Sequence, residues 1–159
     1  MKDVARTDLE FAALRKLSEE MFLLGTNSLH GPDHWDAVLA NGRLLSVQPG
    51  VCCHVVQAFS HIHDCCRENE YFDEFHGHRA AELAMRVRAS HLSMLDDREF
   101  ELLVFAVREH NGGTTSNEPT IGACFDADRL ELVRVGIAPD PMLMSTPLGK
   151  VLAERLNRS

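Results

Sequence analysis

The chain has 159 residues, 45% apolar and 25% charged, with a net charge of −8, a size and composition that suit one soluble globular domain with a real core. Only 6% of it is aromatic, with one Trp and one Tyr, so neither a stacking platform for single strands nor the basic footprint of a duplex binder is expected. No apolar run approaches the ~20 residues of a membrane span, and the start Met1-Lys2-Asp3-Val4-Ala5-Arg6 is too charged for a signal-peptide core, so a cytoplasmic location is expected.

In chain order, residues 8–24 read as a first helix, with Phe11, Leu14, Leu17, Met21 and Leu24 on one stripe and Gly25 closing it. A loop over 27–33 ends in Pro32-Asp33, suited to starting a second helix over 34–47. The third, 51–68, is apolar over much of its circumference and is expected to be central. A polar loop over 68–75 precedes a fourth helix at 76–88. Asp96-Asp97 opens a fifth, running to 110, with acids where the helix dipole favours them. After the glycine-rich turn 111–117, Glu118-Pro119 opens a sixth to about 135. A proline-rich irregular tail and a short last helix over 148–157 complete an all-α bundle of about six to seven helices, with a core over 28–136 and a C-terminal tail over 137–159.

The five cysteines, Cys52, Cys53, Cys65, Cys66 and Cys124, form two adjacent pairs plus one. That is not a disulfide framework, nor the CxxC spacing of a zinc site, and small buried hydrophobes are expected.

The stretch His61-Ile62-His63-Asp64-Cys65-Cys66-Arg67 places an adjacent His-Asp pair in an apolar run. Neither side chain belongs in a core unless a metal or partner neutralises it. Other chemistry-bearing residues fall on apolar stripes too. His34 aligns with Val38 and Leu45, His63 with Val56 and Phe59, and His76 with Ala80, Leu83 and Val87. His110 ends the stripe Leu103, Ala106, Val107, and Asp128 sits within Ile121, Cys124, Phe125 and Leu132. At i, i+3, i+4, i+7 spacing, all of these face inward. One buried metal centre explains all five helices with a single cause.

Six candidate ligands, His34, His63, Asp64, His76, His110 and Asp128, exceed the needs of one tetrahedral ion. They fit two, bridged by Asp64, with His34, His63 and Asp128 on one side and His76 and His110 on the other. The expected cofactor is a divalent transition metal, one or two ions, of Fe, Mn, Zn, Co or Ni. A water held there has a lowered pKa and suits in-line attack on phosphorus, and Arg67 is placed to meet the phosphoryl charge.

The order His34, then His63-Asp64, then Asp128 within Ala127-Asp128-Arg129-Leu130 resembles the HD-domain metal-dependent phosphohydrolase superfamily. His34-Trp35-Asp36-Ala37-Val38 looks like that family's first-ligand helix. His76-Gly77 and His110-Asn111-Gly112-Gly113 resemble the extra histidines of its two-metal subgroup. The resemblance spans about residues 28–136 and implies an HD-type bundle that hydrolyses a small phosphoester, a nucleotide or related metabolite, with Asp64 and Arg67 as catalytic groups. Two readings stand beside it: a mixed-valent di-iron oxygenase of the same type, and a non-catalytic metal-binding regulatory module. The interval from Asp64 to His76 is short for a two-metal member, which leaves His78 as an alternative ligand. No second catalytic module is expected beside the bundle.

The expected partners are a small phosphorylated substrate and, at most, a second copy of the chain as a homodimer. Arg67, His30 at the pocket mouth, and Arg129 are the candidate substrate contacts, with ion pairs to Glu68, Glu70 or Asp73 as the ordinary alternative for Arg67. A solvated helix face is the ordinary alternative for Arg129 and Arg134. Asp33 is expected to cap a helix, Asp126 to face solvent or pair with a cation, and His54 and His61 to be structural or surface groups. The loop Gly112-Gly113-Thr114-Thr115 lacks a P-loop lysine and is not a nucleotide cradle, though its glycines would let it close over the site.

Overall fold

The computed structural model describes residues 4–159. The described chain is all-α, one domain of seven α-helices without a strand: α1 (Val4–Met21), α2 (Pro32–Leu45), α3 (Cys53–Ile62), α4 (His76–His91), α5 (Asp97–Glu109), α6 (Pro119–Arg129) and α7 (Pro147–Leu156). Two 3-10 segments, Leu130–Val135 and Pro141–Leu143, join α6 to α7. No described helix is long and apolar enough to cross a membrane.

Helix starts follow the local chemistry. Proline occupies the first turn of α2, α6 and α7, where its missing N–H would be unpaired anyway. Asp96 and Glu99 form a reciprocal capping box at α5, and the Glu118 carboxylate accepts from Ile121 N at α6. Asp33, by contrast, is not the cap of α2: Gly31 holds that position and Asp33 sits one place past Pro32, in the first turn.

The apolar stripes converge on one core built around Trp35, Phe59, Phe125, Leu14, Leu45 and Ile62. α3 is central, packed against α1, α2, α5 and α6, as its all-round apolar character requires. Two glycines permit close crossings around α3 and α5. A Cβ on Gly42 of α2 would meet Val56 Cγ1 of α3 at 2.4 Å, and one on Gly77 of α4 would meet the Val107 and Arg108 carbonyls of α5 at 2.7 and 2.8 Å.

Five boundaries differ from the periodic reading by three residues or more, the first being the start of α1, at Val4 instead of 8. α1 ends at Met21 instead of 24, because Phe22 leaves the helix and seats edge-on against Trp35, ring centroids 5.3 Å apart. α3 ends at Ile62 instead of 68: the chain tightens into i→i+3 turns, Cys65 N to Ile62 O and Arg67 N to Asp64 O. α4 runs three residues further, to His91. α6 gives way after Arg129 to the 3-10 segment, closed by Gly136 at φ 77°. The cysteines are also less uniform than small core hydrophobes would be. Cys65 and Cys124 are buried, Cys52 and Cys66 half-buried and Cys53 exposed, and all five are free.

Candidate metal centre

Asp64 lies at the middle of the bundle, 3% exposed, just past the end of α3. Its two carboxylate oxygens face two different pairs of imidazoles. Oδ2 is 3.6 Å from His34 Nε2 and 3.7 Å from His63 Nε2, and Oδ1 is 3.1 Å from His76 Nε2 and 3.4 Å from His110 Nε2. Asp128 adds its Oδ1 to the first pair, 3.1 Å from His34 Nε2 and 3.7 Å from His63 Nε2. The structure therefore gathers all six candidate ligands. His34 comes from α2, His63 from the end of α3, His76 from the start of α4, His110 from the end of α5 and Asp128 from the end of α6.

The four rings are oriented so that their Nε2 atoms converge. His63 Nδ1 faces Phe59 O at 3.1 Å, His76 Nδ1 faces Asp73 O at 2.5 Å, and His110 Nδ1 faces Val107 O at 2.7 Å. A carbonyl oxygen only accepts, so each of these rings carries a proton on Nδ1 and turns Nε2 inward, as a bare lone pair in the neutral ring. His34 Nδ1 has no protein partner. Facing nitrogens are close: His76 Nε2 to His110 Nε2 is 2.9 Å, and His63 Nε2 to His34 Nε2 is 3.2 Å. In the His76–His110 pair both Nδ1 atoms donate to carbonyls, and the two inward lone pairs repel at that distance unless a cation lies between them.

Donor separations test whether a metal fits. Ligand atoms about 2.1 Å from a common ion lie roughly 3.0 Å apart at right angles and roughly 3.4 Å apart in a tetrahedron. Within the two imidazole pairs and the Asp64 oxygen each faces, the donor–donor distances run from 2.9 to 3.7 Å. Three sets of side chains, His34 with His63 and Asp64, Asp64 with His76 and His110, and His63 with His110 and Asp128, each bring their ligand atoms within 4.8 Å of one another. These buried groups can hold a metal ion. No cysteine belongs to any of the three sets.

The electrostatics agree with the geometry. Burial alone would raise the carboxyl pKa of Asp64, but the charge of His63 and then the imidazoles of His110, His30 and His76 packed around it hold it well below the usual range. Asp128 is likewise held down against burial, by His34 and His63. Both carboxylates are thus ionised and available as ligands. Burial lowers the His34 pKa and keeps that ring neutral, with Asp128 opposing. Burial also disfavours charge on His63, but Asp64 and Asp128 outweigh it and raise the pKa.

A cleft of about 140 Å³ opens onto Asp64, His110 and Asp128, and three arginines line it: Arg67, Arg129 and Arg134. Arg67 Nε is 3.3 Å from Asp64 Oδ1 without hydrogen-bond geometry, and Nη1 donates to Tyr71 O. Its expected alternative partner Asp73 is instead bound by Arg79 Nη2, at 2.8 and 2.6 Å. His30 also lines the cleft, with Nδ1 3.2 Å from Asp64 Oδ2 and Nε2 3.2 Å from Glu70 O. His78, the alternative to His76, is exposed and lies against Phe75. His54 is half-buried, whereas His61 is 5% exposed.

Two expectations are corrected. Arg129 is not on a solvated face: it is 8% exposed, its guanidinium donates to Leu143 O and Thr114 O, and it lies over the Phe125 ring. Asp126 does not face solvent: it is fully buried and accepts from Ser145 N, Thr146 N and Thr146 Oγ. Its partners belong to the tail, which helical periodicity does not register. Arg134 is half-buried and donates to Leu29 O and Glu131 O. Asn111 completes the cleft wall and donates to Glu74 O. The only signal for Asn111 in the sequence is its place next to His110. No protein-family model, curated protein or solved structure matches the chain.

Proposed function

We propose that the protein is a metal-dependent phosphohydrolase of the HD-domain type, acting on a small phosphoester. The observation that carries this reading is Asp64, whose two oxygens each face a separate imidazole pair beneath a cleft lined by three arginines. His34, His63 and Asp128 would hold one divalent ion and His76 and His110 a second, with Asp64 shared between them. When bound, such ions supply Lewis acidity and a lowered water pKa.

The remaining work belongs to the chain. Arg67 carries a buried Nε without a hydrogen-bond partner, beside Asp64 and open to the cleft. That leaves a guanidinium edge for a phosphoryl oxygen and for the charge that grows on it as the ester bond breaks. Arg129 and Arg134, whose hydrogen bonds in the fold go to backbone carbonyls, keep their positive charge at the cleft wall. In a chain of net charge −8, this local excess of cations favours an anionic ligand and steers it in. His30, held by Glu70 O, stands at the same opening and can orient a phosphoryl oxygen or the leaving group.

The cleft's volume of about 140 Å³ suits a phosphoryl group with a few neighbouring atoms, so the rest of a larger substrate would extend out of the opening. The test is a panel of phosphomonoesters, phosphodiesters and nucleotides, assayed with protein reconstituted with Mn, Fe, Co, Ni or Zn. Turnover of a phosphoester that is lost in Asp64→Ala supports the reading. Full activity in metal-free protein overturns it. Oxygen uptake with an organophosphorus compound and no hydrolysis would replace it with an oxygenase.

A further inference from the structure

Asp128 stands next to the last residue of α6, where the helix passes into the 3-10 segment Leu130–Val135. Helix ends fray, because their last carbonyls lack intrahelical partners. A ligand carboxylate placed there would lose its aim unless the turn were held from outside. The residues on either side of it supply that hold. Asp126 is buried completely and accepts three hydrogen bonds from the tail, Ser145 N at 2.7 Å, Thr146 N at 2.8 Å and Thr146 Oγ at 2.7 Å. Arg129 ties the same turn to Leu143 O at 2.7 Å.

The strap is itself fixed at several points. Thr146 caps α7, its Oγ accepting from Gly149 N at 3.0 Å. Ser145 Oγ accepts from Ser116 N at 3.1 Å, and Gln48 Oε1 accepts from Leu148 N at 3.0 Å. The C-terminal segment is therefore joined to the last turn of α6 through buried, charge-assisted bonds.

We infer that Asp126, through the strap Leu143–Thr146, is a positioning residue that aims Asp128 at the His34–His63 half of the centre. The inference rests on the proposed reading of Asp128 as a metal ligand. It assigns the tail a role in the site, because removing its hydrogen bonds loosens one ligand and leaves the Asp64–His76–His110 half in place.

The test is cobalt(II) titration of the full chain, followed by visible absorption and calorimetry, with Asp126→Asn, Thr146→Val and Thr146→Ser. An amide at 126 presents one oxygen and one N–H₂ group to three donors, so at least one hydrogen bond is lost. Valine at 146 deletes the hydroxyl at nearly constant volume, and serine keeps it. Expected is a loss of about 10–100-fold in affinity for one of two ions in Asp126→Asn and Thr146→Val, as for other groups that orient ligands. An altered absorption band for that ion, unchanged affinity for the other, and wild-type behaviour in Thr146→Ser complete the expectation. Equal weakening of both ions, or wild-type affinities in both variants, would overturn the inference while leaving the metal centre intact. Wild-type protein that binds no cobalt would instead sink the ligand reading itself, and this inference with it.

Discussion

His76 Nε2 and His110 Nε2 face each other at 2.9 Å while each ring commits its Nδ1 proton to a backbone carbonyl one turn before it, Asp73 O and Val107 O. The arrangement stores repulsion between two lone pairs in a buried place, and a cation between them removes it. Metal binding should therefore stabilise the fold. At an ion concentration about 100 times the dissociation constant the gain is about 2.7 kcal/mol, or roughly 5–10 °C in melting temperature for a chain of this length. Calorimetric melting with and without a chelator measures it. Identical melting temperatures would mean that no ion occupies the centre.

The approach of those two histidines depends on Gly77. A Cβ there would sit 2.7 Å from Val107 O and 2.8 Å from Arg108 O, and helix backbone cannot step aside as a flexible side chain would. Gly77→Ala should push α4 away from α5, cost about 1–3 kcal/mol as overpacked sites do, and weaken binding of the ion between His76 and His110. Urea unfolding and metal titration would read the two effects. A variant as stable as the parent, with both ions bound normally, would show that the two helices do not need this contact.

Arg67 should matter to turnover and little to metal content. Arg67→Ala removes the guanidinium whose Nε lies 3.3 Å from Asp64 Oδ1 without a hydrogen bond, and a loss of about 10²-fold in kcat/KM on a phosphoester is expected. Arg67→Lys should recover part of this through charge alone. Comparing steady-state rates with metal content separates the roles: a loss of metal equal to the loss of rate would make Arg67 a support for Asp64 instead of a substrate contact.

His61 sets part of the acid response. It is buried, lies against Phe11 at a centroid distance of 6.5 Å, and its Nδ1 has no partner. Burial, and then the charge of Arg15, lower its pKa from 6.5 to about 4. Between those values the unfolded chain binds a proton that the folded chain refuses. The stabilisation is thus complete above the unfolded pKa and is lost as pH falls toward the folded one, by about 3 kcal/mol over the whole window. In metal-free protein, His61→Phe should flatten the fall in stability between pH 6.5 and pH 4. Parallel stability curves for parent and variant would contradict this.

The helical stripes made most of the architecture legible from the sequence, because all the candidate ligands except Asp64 lie in register with the apolar residues of their own helices. His34, His76 and His110 could be placed in the interior by spacing alone. What spacing could not convey was set by backbone groups outside the helices. The end of α3 follows from tight turns at 62–67 that swing Asp64 between four imidazoles. Asp126 lies off the apolar stripe of α6 because its partners are N–H groups and a hydroxyl of a proline-bounded strap, and Arg129 is buried against carbonyls of two irregular segments. No periodic pattern records such partners. The carbonyls that orient His63, His76 and His110 are equally silent in the sequence, since any residue provides one.

The central claim is that Asp64 bridges two ions, and metal content tests it most directly. Protein purified without chelator, and a parallel preparation of Asp64→Ala, would be weighed for bound transition metal by elemental analysis. The account predicts about two ions per chain in the parent, as a two-metal site requires, and a loss of both in the variant. A parent without metal, or an Asp64→Ala variant that keeps two ions, would contradict it.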